Sequence, residues 1–372
     1  MEDLVVDKNF WKGKRVLVTG HTGFKGSWLV TWLASLDAVV AGLSDEVPSK
    51  PSNYEASNIG SLAIEYQVDI RNAKEVQRVV KEFQPDFVFH LAAQALVRDS
   101  YDSPLETLEI NALGSANLLE SLRLLDKKVV AVMITSDKAY DNVEWVWGYR
   151  ETDRLGGKDP YSASKGMAEL AIRSYVDSFF NQPNSQVRVG IARAGNVIGG
   201  GDWAKDRIIP DCVSSWSKNN TVEIRSPGAT RPWQHVLEPL SGYLVLASDL
   251  AQSSCNHGEA YNFGPSSNQN YPVSELINEM SKHWDQVKWL DVSKNEQYLH
   301  EAGLLKLNCD KAIFNLKWTS ALQFEETVKM TVEWYKKYYQ NQADSMQDFT
   351  LFQIGEYTKL ARSRKIAWAC DD

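Results

Sequence analysis

Arg15-Val-Leu-Val-Thr-Gly-His-Thr-Gly-Phe-Lys-Gly26 is the stretch that decides the fold. Its first five residues form a short apolar run that reads as a strand, and Gly20, Gly23 and Gly26 follow at once, opening a segment with helical spacing from Lys25 to Leu36. A strand that turns through glycines into a helix is the opening of a dinucleotide-binding unit. The glycines let backbone approach a pyrophosphate closely, and the helix offers its N-terminal amides and partial positive charge to that anion. Gly20, Thr22, Gly23, Phe24, Lys25 and Gly26 are therefore candidate cofactor contacts. The spacing is G-x-x-G-x-x-G, not the broader G-x-G-x-x-G fingerprint, so the loop alone also fits an ordinary structural turn.

Moving outward, strand-like runs at Ala38–Leu43, Ile64–Val68, Asp86–Leu91, Val129–Thr135 and Val187–Arg193 alternate with helical stretches at Ala73–Phe83, Pro104–Leu125 and Tyr161–Phe180. Pro104 and Pro160 stand where a first helical turn accepts proline. Such alternation predicts an α/β fold: a doubly wound parallel sheet of Rossmann type, with ligands at the carboxyl ends of the strands. Gly20, Leu91 and Thr135 all fall at such ends. After about residue 195 the pattern breaks, with Gly199-Gly-Gly201, Pro210, Pro227, Pro232 and Pro265 punctuating shorter elements. The expected division is a nucleotide-binding domain over 1–195 that carries the catalytic residues, and a smaller substrate-binding lobe over 196–372, some of whose segments return to the sheet.

Chemistry enters at Thr135-Ser-Asp-Lys138 and Tyr161-Ser-Ala-Ser-Lys165. Tyrosine and lysine four residues apart share a helical face, so the Lys165 ammonium can stabilise a Tyr161 phenolate. A free phenol titrates near 10, and Lys165 together with an oxidised nicotinamide is expected to bring it down far enough to take a proton from an alcohol. Asp137 and Lys138 add a second acid/base pair that simple alcohol oxidation does not need. Lys138 must be neutral to act as a base, against an ordinary value of about 10.4, so burial and nearby cations would have to depress it.

The net charge of −8 argues against nucleic acid or an anionic membrane as partner. Met1-Glu-Asp-Leu-Val-Val-Asp7 has no basic leader ahead of an apolar stretch, and no run approaches the ~18 apolar residues of a membrane span, so a cytoplasmic protein is expected. Cys212, Cys255, Cys309 and Cys370 are too scattered for a zinc site or a disulfide framework, so no metal is expected.

These residues resemble the extended short-chain dehydrogenase/reductases that act on nucleotide sugars. The resemblance covers most of the chain and rests on the glycine loop, His90-Leu-Ala-Ala-Gln94 with Val97-Arg98, the Thr135–Lys138 segment, Tyr140-Asp-Asn142 and Trp145-Val-Trp-Gly-Tyr-Arg-Glu151. Arg193-Ala-Gly-Asn-Val-Ile-Gly-Gly-Gly-Asp-Trp203 and Arg231-Pro-Trp-Gln-His235 complete it. Lys138 stands where dTDP-sugar relatives have glutamate, as in the branch acting on CDP-sugars. The resemblance implies 4,6-dehydration of CDP-glucose or a related nucleotide sugar. Tyr161 and Lys165 would oxidise C4, Ser136 would polarise O4, Lys138 would deprotonate C5 and Asp137 would protonate the departing C6 hydroxyl. It also implies cofactor contacts at Asp69, Ile70, Leu91, Ala92, Ala93, Thr135, Tyr161 and Lys165. Substrate contacts would fall at Gln94, Arg98, Asn196, Arg207, Arg231 and His235, with Arg207 and Arg231 on the diphosphate. His90 and His235 read as packed or substrate-bonding side chains, not general bases. Two copies would pair through Pro104–Leu125 and Tyr161–Phe180, as a homodimer or a dimer of dimers.

NAD is the expected cofactor, with NADP the alternative. Leu43 occupies the place at the end of the second strand where an acidic side chain commonly meets the adenosine ribose. Asp45 could reach that ribose, and Lys25 could favour a phosphate. A 4-epimerase or 4-reductase would share the glycine loop and Tyr161/Lys165 without needing Asp137 and Lys138. A non-catalytic dinucleotide sensor would need neither pair.

Overall fold

Val129–Ile134 is apolar and buried at every position, the signature of a strand covered on both faces. It is β5 in a computed structural model of the chain that describes residues 6–266, 269–293, 304–340 and 345–370. Residues 1–5, read above as lacking a basic leader, lie outside them.

β1 (Arg15–Thr19), β2 (Val39–Ser44), β3 (Ile64–Gln67), β4 (Phe87–His90), β5, β6 (Val187–Arg193) and β7 (Ala260–Asn262) form one seven-stranded sheet. The order is β7-β6-β5-β4-β1-β2-β3, and every pairing is parallel. The expected doubly wound sheet is present, and its edge strand β7 comes from beyond residue 195.

The covering helices follow from sequence spacing. α1 (Phe24–Ser35) leaves the glycine loop and buries Trp28, Leu29, Trp32 and Leu33. α2 (Ala73–Phe83) buries Val76, Val79, Val80 and Phe83, one stripe of a helix, with Asn72 capping the Glu75 amide. The stretch expected as one helix over Pro104–Leu125 is three pieces: Pro104–Leu108, a wider π-turn at Glu109–Leu113, and α3 (Gly114–Arg123). Inside that turn Asn111 is drawn sideways. Its amide donates to the Gln94 carbonyl (3.0 Å) and the Ser164 hydroxyl (2.8 Å), and its carbonyl oxygen accepts the Gln94 amide (2.9 Å). Tyr161–Phe180 likewise ends in a π-turn after α4 (Pro160–Tyr175). α4 starts at Pro160 behind Asp159, which accepts from the Ser162 amide at 2.9 Å, and its buried face carries Tyr161, Ser164, Lys165, Ala168, Glu169 and Ile172.

Beyond residue 195, α5 (Leu237–Gln252) packs against β5 and β6, and α7 (Met346–Ser363), which follows α6 (Phe324–Gln340), packs against α1. One apolar cluster runs from Trp28, Leu33 and Val132 to Leu240, Leu244 and Trp334, so this half of the chain shares the core of the first. Three short strand pairs stand apart from the sheet: Val197–Ile198 with Gln234–His235, Val222–Ile224 with Trp289–Asp291, and Thr230–Arg231 with Tyr271–Pro272. Among the described residues no helix is long and apolar enough to cross a membrane.

Candidate active site

A cleft of about 1500 Å³ opens along the carboxyl ends of β1, β4 and β5. That exceeds the roughly 300–1,000 Å³ of a single small-molecule site, which leaves room for two ligands side by side. Its floor begins at the glycine loop. Gly20 has φ +73°, and a Cβ there would lie 2.7 Å from the Ala92 amide nitrogen. A Cβ on Gly26 would lie 2.1 Å from the Gly20 carbonyl oxygen, so only glycine allows α1 to start this close to β1. α1 begins behind Gly23 with no side-chain cap, leaving its N-terminus open to an anion. This cradle fits a dinucleotide.

Thr22, Gly23, Phe24, Lys25, Asp69, Ile70, Leu91, Ala92, Ala93 and Thr135 all line the cleft. Asp69 is locked to Arg71 (2.6 Å). Leu43 is fully buried, and the end of β2 presents Ser44, Asp45 and Glu46 to the cleft wall. Lys25 lines the cleft as well. Burial brings its ammonium down to about 8, and the charges it feels most are Arg207, Asp137, Lys165 and Asp202. These charges set Lys25 near Asp137, Lys165 and Arg207.

Ser136, Asp137, Lys138, Tyr161 and Lys165 all line the cleft. Ser136–Ala139 turns off the end of β5, with the Ser136 hydroxyl accepting from the Lys138 amide (3.2 Å) and donating to Asp137 (3.0 Å). Asp137 is buried and Lys138 half-buried. Lys165 Nζ lies 5.9 Å from the centre of the Tyr161 ring. Burial lowers Lys165 to about 8, while Glu169 one turn on supports its charge. Burial raises the Tyr161 phenol, and the groups drawing it back are the Ser136 hydroxyl and then Arg207.

The expected substrate contacts divide. Asn196 and Arg207 line the cleft beside the catalytic group, Asn196 donating to Asp137 at 3.4 Å and Arg207 held by Asp202 at 2.7 Å. Arg231 lines the cleft, as do Val222–Ile224 and Arg225. Arg98 lines it too, bonded to Asp206 at 2.7 Å. The Gln94 side chain folds onto the Leu96 backbone. His235 is a correction: it is fully buried, packed edge-on against Trp28, and its Nδ1 accepts the Leu237 amide, so it does not reach the cleft. Apolar surroundings push it down to about 3. His90 is buried between Thr19 and Ser115 at 2.8 and 2.9 Å.

The sequence matches the description of the GDP-mannose 4,6 dehydratase family over residues 17–331. The chain belongs to this family. It is 48% identical over 336 residues to a CDP-glucose 4,6-dehydratase of Salmonella typhimurium, covering 89% of this chain and 93% of that one. Among solved structures, Pal of Bacillus thuringiensis superposes with a TM-score of 0.74 at 26% identity, covering 87% of this chain and 99% of that one. A dTDP-glucose 4,6-dehydratase of Streptomyces venezuelae has the same fold, with a TM-score of 0.71 at 23% identity over 87% and 97% of the two chains. The resemblance to extended short-chain dehydrogenase/reductases is borne out. With this identity to the Salmonella typhimurium dehydratase over most of both chains, the protein is a lyase that dehydrates a nucleotide sugar.

Two residues of this dehydratase site carried no local signal of a role. A Cβ on Gly195 would lie 1.8 Å from Asp137 Oδ2, so that position must be bare for the carboxylate to sit where it does. Glu169 is buried beneath Lys165, and its only trace in the sequence is the four-residue spacing from Lys165 on the Tyr161 face.

Proposed function

We propose that the protein converts CDP-D-glucose to CDP-4-keto-6-deoxy-D-glucose with NAD as its resident cofactor. The observation that carries this reading is the convergence of two acid/base pairs, Tyr161/Lys165 and Asp137/Lys138, on one cleft beside a dinucleotide cradle. Tyr161 takes the proton from the sugar O4, with Ser136 on the same oxygen and the Lys165 ammonium favouring the phenolate. The ketone formed at C4 acidifies the C5–H bond. Lys138 removes that proton, and Asp137 protonates the C6 oxygen, which leaves as water. C6 then gains hydride and C5 regains a proton, so the net change is the loss of one water. Bound NAD supplies the hydride acceptor for C4 and the hydride donor for C6.

The acidic wall at the end of β2 supports NAD over NADP, because Asp45 and Glu46 would repel a 2′-phosphate. Arg207 and Arg231 both line the cleft, which supports a diphosphate bound between them, and the identity to the Salmonella typhimurium dehydratase supports cytidine as the base. Leu105 and Leu113 on the Pro104–Arg123 segments, and Met167 and Leu170 on α4, are exposed apolar side chains, which supports pairing of two copies through these helices.

The test is incubation with CDP-, dTDP-, UDP- and GDP-glucose and detection of a 4-keto-6-deoxy sugar. Turnover of CDP-glucose at least about tenfold above the others is expected, roughly 1.4 kcal/mol of discrimination. No product from CDP-glucose, or faster turnover of another sugar, would contradict the proposal.

A further inference from the structure

Arg193 and Glu169 form an ion pair with both side chains fully buried. Arg193 Nε donates to Glu169 Oε1 at 2.6 Å and Nη2 donates to Oε2, a two-pronged contact that fixes both planes. Such a pair is weak evidence for stability, because well-packed apolar residues often do as well. Its contacts suggest another use. Glu169 Oε1 also accepts the Thr135 hydroxyl at 2.7 Å, and Arg193 Nη1 donates to the Tyr140 hydroxyl at 2.7 Å and to the Glu151 carbonyl at 3.0 Å. Thr135 and Tyr140 are the residues on either side of Ser136–Ala139, the turn that presents Asp137 and Lys138. Glu169 stands on α4, one turn beyond Lys165 and two beyond Tyr161.

The network continues away from the cleft. The Tyr140 hydroxyl donates to Asn262 Oδ1 at 2.7 Å, Glu151 Oε1 accepts the Asn262 amide at 2.9 Å, and the Asn262 side-chain amide donates to the Tyr149 and Asn308 carbonyls. β5, β6, β7, α4 and the Tyr149–Glu151 segment are thereby tied to one guanidinium.

We propose that the Arg193–Glu169 pair is a positioning unit that holds both ends of the Asp137–Lys138 turn in register with the Tyr161–Lys165 face of α4. The proposal rests on the dehydratase reading above. Oxidation at C4 takes its base and its ammonium from α4 and only Ser136 from the turn, whereas loss of water takes both its acid and its base from the turn. Loosening the turn therefore slows elimination more than oxidation.

Tyr140→Phe and Thr135→Val each remove one anchor at nearly constant volume and leave the ion pair intact. The measurement uses whichever nucleotide sugar the wild type dehydrates, so that a wrong substrate is seen in the wild type alone. Each variant is expected to keep a melting temperature close to wild type and a KM within about twofold, to lose about tenfold or more in kcat, and to accumulate near-ultraviolet absorbance of reduced cofactor in a single turnover. Thr135→Ser, which keeps the hydroxyl, should restore kcat. Wild-type kcat in both variants, or a loss confined to KM or to the melting temperature, would overturn the proposal.

Discussion

Gly195 is bare because Asp137 needs the space. An added Cβ would stand 1.8 Å from one carboxylate oxygen and 2.1 Å from the carboxyl carbon, closer than any real contact, and a side chain as short as aspartate can relieve this only by turning away. Gly195→Ala is thus expected to move Asp137, the proposed acid at the C6 oxygen, while leaving the glycine loop untouched. A loss of about 10²-fold in kcat with unchanged cofactor affinity is the expected outcome, read from steady-state kinetics and a cofactor titration. Near-normal kcat would show that Asp137 does not act from this position. Residue types at the site were legible in the sequence because Tyr161 with Lys165, and Asp137 with Lys138, are close along the chain. Gly195 and Glu169 were not, because what gives them meaning is a neighbour 58 residues away for Gly195 and 24 for Glu169's partner Arg193.

At the scale of elements, α5 is fastened to the rest of the core by Glu238 in its first turn. Its carboxylate is buried, with Oε1 accepting the Ala321 and Leu322 amides at 2.9 and 2.6 Å and Oε2 the Tyr357 hydroxyl at 2.7 Å. Burial raises this carboxyl from 4.5 to about 7 despite those bonds. Between the two values the folded protein holds a proton that the unfolded chain gives up, so stability falls as pH rises from about 4.5 to about 7. Urea unfolding at pH 5 and pH 8 should show that loss in the wild type and a smaller one in Glu238→Gln. An identical pH dependence in both would show that Glu238 is not the group responsible. Strand positions were readable because a strand covered on both faces is continuously apolar. The two π-turns were not, since a helix widened by one residue keeps nearly the same periodicity; at Glu109–Leu113 the site marks itself only through Asn111 and its bonds to Gln94 and Ser164.

Over the whole molecule, the chain lays down six strands of the sheet by Arg193 and then returns to supply the seventh. That return was not readable in detail, because β7 is three residues long and gains its place only by pairing with β6. The same holds for His235, whose motif pointed to substrate while its pairing with Ile198 turned it into the core. What does emerge at this scale is a single cleft in which one cofactor cradle serves two successive reactions, and the central claim is that hydrogen leaving C4 comes back at C6. The most direct test is turnover of CDP-glucose carrying deuterium at C4. Deuterium is expected at C6 of a 4-keto-6-deoxy product, with no net consumption of cofactor and little loss of label to water. Deuterium retained at C4 of a recovered or inverted hexose, or released into solvent, would contradict it.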